Sequence, residues 1–576
     1  MNQKLENILN VSLDATEDEL RKADSLSTGY NWRDNTWEII VKYSGSLESI
    51  RNRYNVYIKE LLNYYAIIVA DKATIELISQ EDVIDYVEKP KSLYYQIERT
   101  KTAACVGSVR ADGNILSGKG VIVGVIDTGI DIFDNAFRNS DGTTRILNIY
   151  DQTTGEKYDK QSIDEYIRLN EDLSGGTFSY DNAPGVDNIM HGTDVSYIAA
   201  GSLGVAYEAD IIAVKMGYSI NNQFPRTTSL MDAIDYIIRK AIEYRKPVAV
   251  NISYGCNYGA HNGNTLLESF IDDISKSYRC VICVGSGNEA DKAIHFGGII
   301  NTGQVQTAYL SVGEYQSAID IQIWKNYWDT IDVMLINPRG EQIGIITEGR
   351  INRYETYNTE IITLLGEPSP YNIYQEIYIN LIPKTDYILS GIWQIVLMAG
   401  SIRAGEYNIW LPSSQALGYA TAFNNPTADG TITIPATARN CIAVGAYNAY
   451  TNSYAAFSGR GFDNSIRNVN AGVKPDITAP GVDISIARQR GNDITYRNVT
   501  GTSYAVPVVT GAAALLMQWG IGMGNDRFMY GEKLKAALID GSKPVGLVGI
   551  TRNDNQPDPR TGWGAVCLKN TLNKIL

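Results

Sequence analysis

From about residue 119 the chain alternates short apolar runs with stretches of helical period. GVIVGVID, IIAVKM, PVAVNIS and CVICVGSGN read as strands with too few polar positions for a solvated face. LMDAIDYIIRKAIEY and TLLESFIDDISKSY, between them, read as amphipathic helices. Apolar strands alternating with helices predict a parallel sheet covered on both faces, a doubly wound α/β domain.

The first hundred residues have another texture. TWEIIVKYSG, YYAIIVAD and VIDYVEK read as strands, with SLESIRNRYN and KATIELISQED as helices, a β-α-β-α-β order that predicts a small ferredoxin-like α+β domain ending near PKSLYYQIERTK. Between roughly 300 and 425 the helical period vanishes. SAIDIQIWK, IDVMLINPRG, QEIYINLI, GIWQIVLMA and EYNIWLPS follow one another as strands, which predicts an antiparallel sandwich or jelly roll. The α/β pattern resumes at TITIPATARNCIAVGA, so the sandwich is an insertion. The expected domains are 1–96, an α/β domain split into 97–298 and 426–576, and the inserted 299–425.

At 576 residues the chain is long enough for two to four self-sufficient cores. Its 50 basic and 64 acidic residues give a net charge of −14, a surface that repels nucleic-acid phosphates and anionic lipid. No apolar stretch approaches the roughly 20 residues of a membrane span, and the polar, acidic start MNQKLENILNVSLDATEDELRKAD lacks the features of a secretory signal. A protein made and kept inside a cell is expected. Six cysteines make no disulfide framework in so long a chain. Cys280 and Cys283 form a CxxC, but within a strand they point to opposite faces and so fit buried thiols better than a metal site. No acidic loop has convincing calcium spacing, and no metal or cofactor is expected.

Ligands of open parallel sheets gather at the carboxyl ends of the strands. Asp127 ends one such strand, Ser253 ends another, Asn288 follows a third, His191 opens the apolar helical run HGTDVSYIAAG, and Ser503 starts the helix after NVTGT. A hydroxyl to attack, an imidazole to take its proton and a carboxylate to hold the imidazole are the requirements of acyl transfer. Each residue also has a plain structural reading: a helix cap for Ser503, a turn for Asn288, a core histidine for His191. Asp127 in D-T-G has a sharper rival, the carboxylate of an aspartic protease, but that chemistry needs a second such motif and the chain has none. A serine at a helix N-terminus has free amides beside a developing oxyanion, and Pro507 is expected early enough in that helix to cost little.

IDTGID, HGTDVSYIAAG, SGNE, KPDITAPG and GTSYAVP, in that order over about 300 residues, resemble the blocks of subtilisin-like serine proteases. The resemblance implies that Asp127 orients, His191 is the general base, Ser503 is the nucleophile and the Asn288 side chain joins the Ser503 N–H in the oxyanion hole. It implies that Ser253, Tyr254 and Gly255 pair with substrate backbone. It also implies that residues 1–96 are a propeptide, chaperone and inhibitor, cut by the enzyme itself at Gln96–Ile97. The chain departs from the family in carrying Asp194 where a second histidine is common, and in its large insertion.

A subtilase without a signal, with a propeptide and a mid-domain jelly roll, is similar to the Csp germination proteases of clostridial spores. That likeness implies packaging in the spore and, as substrate, the zymogen of a cortex-degrading hydrolase. Some of that group are idle pseudoproteases acting in germinant signalling, the alternative reading here, but all three triad positions are intact.

Overall fold

Seven parallel strands form the centre of the molecule. In spatial order they are Ile146–Asp151, Asp210–Lys215, Ile122–Asp127, Val248–Ile252, Cys280–Gly285, Ile442–Asn448 and Ile477–Pro480. The structure, a computed structural model, describes residues 2–92, 94–95, 110–111, 114–173, 183–217, 224–347, 349–462, 472–490, 493–546 and 557–576. Every residue of Ile122–Asp127, Val248–Ile252 and Cys280–Gly285 is buried, which is why these strands read as unbroken apolar runs. After Asp210–Lys215 the chain crosses to the other side of Ile122–Asp127 to form Val248–Ile252. This switch point opens a crevice at the carboxyl ends of the strands.

Helices Thr227–Tyr244 and Leu266–Ser277 cover one face of the sheet; His191–Ala200 and Thr502–Met517 cover the other. Cys283 joins the core on the Thr502–Met517 side and Cys280 the core on the opposite side, and burial pushes each thiol up to about 12. The expectation that no run is long enough for a membrane span needs correction. Thr502–Gly522 has the length and composition to cross a bilayer, but 83% of its most apolar window is buried. It is the central core helix, apolar all round because it is surrounded.

The N-terminal domain is a βαββαβ unit. Its sheet runs Ile84–Glu88, Thr36–Tyr43, Tyr65–Ala70, Tyr57–Leu61, all antiparallel, with helices Glu48–Tyr54 and Lys72–Ile78. Tyr57–Leu61, absent from the expected pattern, is an edge strand whose mixed burial gives no clear alternation.

The inserted segment is two antiparallel sheets packed face to face. One contains His295–Ile299, Glu406–Trp410, Ile319–Asn326, Tyr374–Pro383, Thr359–Leu365 and Ile351–Glu355; the other is built on Val305–Val312, Ile331–Ile336 and Gly391–Ala399. Its outer face does not end at water. Ile362, Leu364, Tyr378 and Ile382 share one core with Leu9, Leu13 and Leu26 of the N-terminal domain, and Arg353 pairs with Asp14 and Glu19 at 2.8 and 3.1 Å.

Glu376 is buried at this joint, accepting from Gln322 (2.5 Å) and Asn7 (3.2 Å). Burial pushes its carboxyl up to about 8. The group is therefore neutral in the fold over a range where the free chain is ionised, so its contribution falls as pH rises from about 4.5 towards 8. Glu376→Gln should leave thermal stability nearly unchanged at pH 5 and raise it at pH 8.5, by on the order of 2 kcal/mol, as read by calorimetry of both proteins at each pH.

Candidate active site

Asp127 is the last residue of its strand and His191 the first of its helix. Asp127 Oδ1 lies 2.6 Å from His191 Nδ1 and also accepts from the Thr128 amide at 2.8 Å. This bond gives the imidazole one tautomer, with the proton on Nδ1 and the lone pair on Nε2, the form a general base requires. The side chains are 1% and 3% exposed, so the pair is hardly screened.

The close approach depends on Gly192. A Cβ there would lie 2.3 Å from the Gly129 carbonyl oxygen and 2.9 Å from the Asp127 Cβ. Gly192→Ala must therefore push the histidine helix off the aspartate strand. The expected result is at least a tenfold fall in kcat/KM with a stability loss of about 1–3 kcal/mol, measured by peptide hydrolysis and thermal unfolding.

Asp187, which the sequence reading did not single out, organises this helix start. One of its oxygens accepts from the Met190 amide and the Thr128 hydroxyl, both at 2.7 Å; the other accepts from the Thr193 amide and hydroxyl, both at 2.8 Å. It fills the role of an N-cap from a position just upstream of the helix.

Ser503 is the second residue of Thr502–Met517 and fully buried. Gly501 precedes the helix at φ 150°, ψ 163°, a backbone region essentially reserved for glycine. The ring of the next residue, Tyr504, packs 5.3 Å from the imidazole of His191, so the turn that carries Ser503 and the histidine helix meet here. Pro507 needs a correction. It is the sixth residue of the helix, beyond the first turn, so it removes the amide that would bond the Ser503 carbonyl.

Asn288 lies three residues past Cys280–Gly285. Its Oδ1 accepts from the Thr502 amide at 3.0 Å and the Thr502 hydroxyl at 3.1 Å. That fixes the amide orientation, because only oxygen can accept. Its Nδ2 is a buried donor with no protein acceptor among the described residues, beside the helix terminus that carries Ser503. Such a donor is what a tetrahedral oxyanion needs.

Ser253 joins Val248–Ile252 to the short edge strand Tyr254–Gly255 and accepts from Asn251 at 3.0 Å. Against that edge runs Tyr94–Tyr95, antiparallel, with Tyr95 opposite Tyr254 and Tyr94 opposite Gly255. Two to three residues upstream the chain pairs with another segment: the Thr227 amide donates to the Lys91 carbonyl, and Ser92 bridges Arg226. The chain's own segment thus lies as an extended peptide along the crevice. Gln96 and Ile97, the expected cleavage pair, lie outside the described residues.

The other two histidines, His261 and His295, stack on Trp410 at 4.1 and 4.9 Å, and burial holds each near 4. They are neutral core groups. Among the described residues no three His, Cys, Asp or Glu side chains come together as a metal site.

The subtilase family profile matches residues 118–368 and 404–564. The chain belongs to the subtilase family of serine endopeptidases. Residues 3–91 match the Csp protease B prodomain. The CspB protease of Clostridium perfringens has a similar structure, with 34% sequence identity over 80% of this chain and 94% of that one and a TM-score of 0.72. The subtilase-type proteinase RRT12 of Saccharomyces cerevisiae is 33% identical over 128 residues, 22% of this chain and 23% of that protein. A subtilisin-like protease 2 of Pseudogymnoascus destructans is 33% identical over 139 residues, 24% of this chain and 31% of that one. The chain thus spans about a quarter to a third of these two curated relatives. In this subtilase the insertion falls between the segments that carry Asn288 and Ser503.

Proposed function

We propose that this chain is an active endopeptidase that cuts its own N-terminal segment after Gln96 and then activates the zymogen of a spore cortex hydrolase by limited proteolysis during germination. One observation carries the reading: Tyr94–Tyr95 pairs with Tyr254–Gly255 as a substrate backbone would. The peptide bond after Gln96 follows one residue on. In this reading Ser503 attacks the carbonyl carbon while His191 takes its proton. Asp127 stabilises the imidazolium, Asn288 Nδ2 and the Ser503 amide receive the oxyanion, and His191 then protonates the departing amine. Ser253, Tyr254 and Gly255 hold the substrate backbone. The enzyme would be packaged in the spore and would recognise a protein, with no nucleic acid or membrane partner.

Support for the germination role comes from the similarity to the CspB protease and its prodomain. The test is chemical. A fluorophosphonate probe should label the wild type on Ser503 and fail on His191→Ala. Purified cortex-hydrolase zymogen should be shortened by wild type alone. Absence of labelling would favour an idle scaffold instead.

A further inference from the structure

The departure at Asp194 has a structural counterpart. Asp194 stands one turn after His191 on the same helix, on the same side, and is 0% exposed. A carboxylate so buried is costly unless paired. Two guanidiniums reach it, both from the hairpin Ile484–Arg490 and Asp493–Val499. Arg488 donates from Nε at 3.1 Å and from Nη2 at 2.5 Å; Arg497 pairs with the other oxygen. Arg497 stands opposite Ile486, on the same strand face as Arg488 and Arg490. Arg490 extends the contact by pairing with Asp131 at 2.6 Å.

Both arginines also bind the residue before the histidine. The Met190 carbonyl accepts from Arg488 at 3.0 Å and Arg497 at 3.1 Å, besides the Asp194 amide at 3.3 Å. Met190 is held at φ 67°, a left-handed conformation that costs a non-glycine residue roughly 1 kcal/mol or more. Donors on its carbonyl offset that strain. The hairpin then leads directly into Thr500, Gly501 and Ser503. One charged cluster therefore ties the backbone on both sides of His191 to the segment that delivers the nucleophile.

We propose that Asp194, Arg488 and Arg497 are positioning residues, a clamp that sets the His191 imidazole against the Ser503 turn in place of the second histidine common in subtilases. This rests on the triad reading above, but its test does not need activity. Among the described residues, the charged and titratable groups around His191 include Asp127 on its strand, Asp187 in the preceding loop, Tyr504 on the helix of Ser503, the Arg490–Asp131 pair beside the clamp, and the clamp itself. Removing an arginine makes the field at the imidazole more negative and favours its protonated form; removing Asp194 does the reverse. Charge proximity alone gives that opposition, so positioning itself is read in kcat against KM and in the rescue by Arg488→Lys.

The experiment uses full-length protein carrying Ser503→Ala and histidine labelled at Cε1. The chain has three histidines, and the signal lost in a His191→Gln control reports His191. Arg488→Gln and Arg497→Gln should move its midpoint up, and Asp194→Asn down, each by roughly half a pH unit or more; Arg488→Lys should stay near the parent. Unmoved midpoints, or shifts of one sign for Arg488→Gln and Asp194→Asn, would overturn the clamp. Arg497 is partly exposed, so its variant keeps the test open if Asp194→Asn does not fold. With Ser503 restored, Arg488→Gln should lower kcat at least about tenfold with KM little changed. A parent that hydrolyses nothing would defeat the protease reading while the titration still decides the clamp.

Discussion

Asp127→Asn should lower kcat by about 10⁴ while leaving the fold and KM nearly unchanged. The reason lies in the single bond of 2.6 Å between Asp127 Oδ1 and His191 Nδ1. An asparagine can turn its amide to the imidazole and donate, which moves the ring proton to Nε2 and removes the lone pair that must accept from Ser503. Space changes little, so thermal unfolding should move by no more than about 1–2 kcal/mol. Peptide hydrolysis across pH, with unfolding measured in parallel, separates this chemical loss from a collapse of the site. A variant that retains more than about a tenth of wild-type kcat would show that this pair does not select the tautomer.

Asn288→Ala should cost roughly 10²–10³ in kcat. Removal of the amide takes away a preorganised donor and also frees the Thr502 amide and hydroxyl that now bond its Oδ1. Asn288→Asp separates the two effects, because a carboxylate can keep the Thr502 contacts but brings negative charge beside the oxyanion. Its kcat should fall at least as far as that of the alanine variant, with better retained stability. Equal rates for wild type and both variants would place the oxyanion elsewhere.

The candidate site was legible in the sequence because each of its residues sits where an apolar run meets a polar residue of the required chemistry, at a strand end for Asp127 and a helix start for His191 and Ser503. These junctions are local. What escaped depends on contacts between distant segments. Asp187 looks like any loop aspartate until the helix start folds back over it, and Arg488 meets Asp194 across 294 residues of chain. The same holds for the fold. Parallel strands buried on both faces announce themselves, whereas Tyr57–Leu61, an edge strand of mixed burial, does not. The polar-looking start of the chain forms the helices Asn7–Asp14 and Glu17–Lys22, whose apolar residues share one core with both the N-terminal sheet and the inserted sheet.

That cover also bears on the two ends of the proposed cleavage. Glu88, at the end of the last N-terminal strand, accepts from the Leu266 amide at 2.6 Å at the start of a catalytic-domain helix, so the N-terminal domain is joined to the catalytic domain just before its tail enters the crevice.

The most direct measurement is intact mass and N-terminal sequencing of purified wild-type protein beside Ser503→Ala. The account predicts a wild type cut into two pieces, the larger beginning at Ile97, and an uncut variant. Wild type that stays whole, or a variant cut at the same bond, would contradict it.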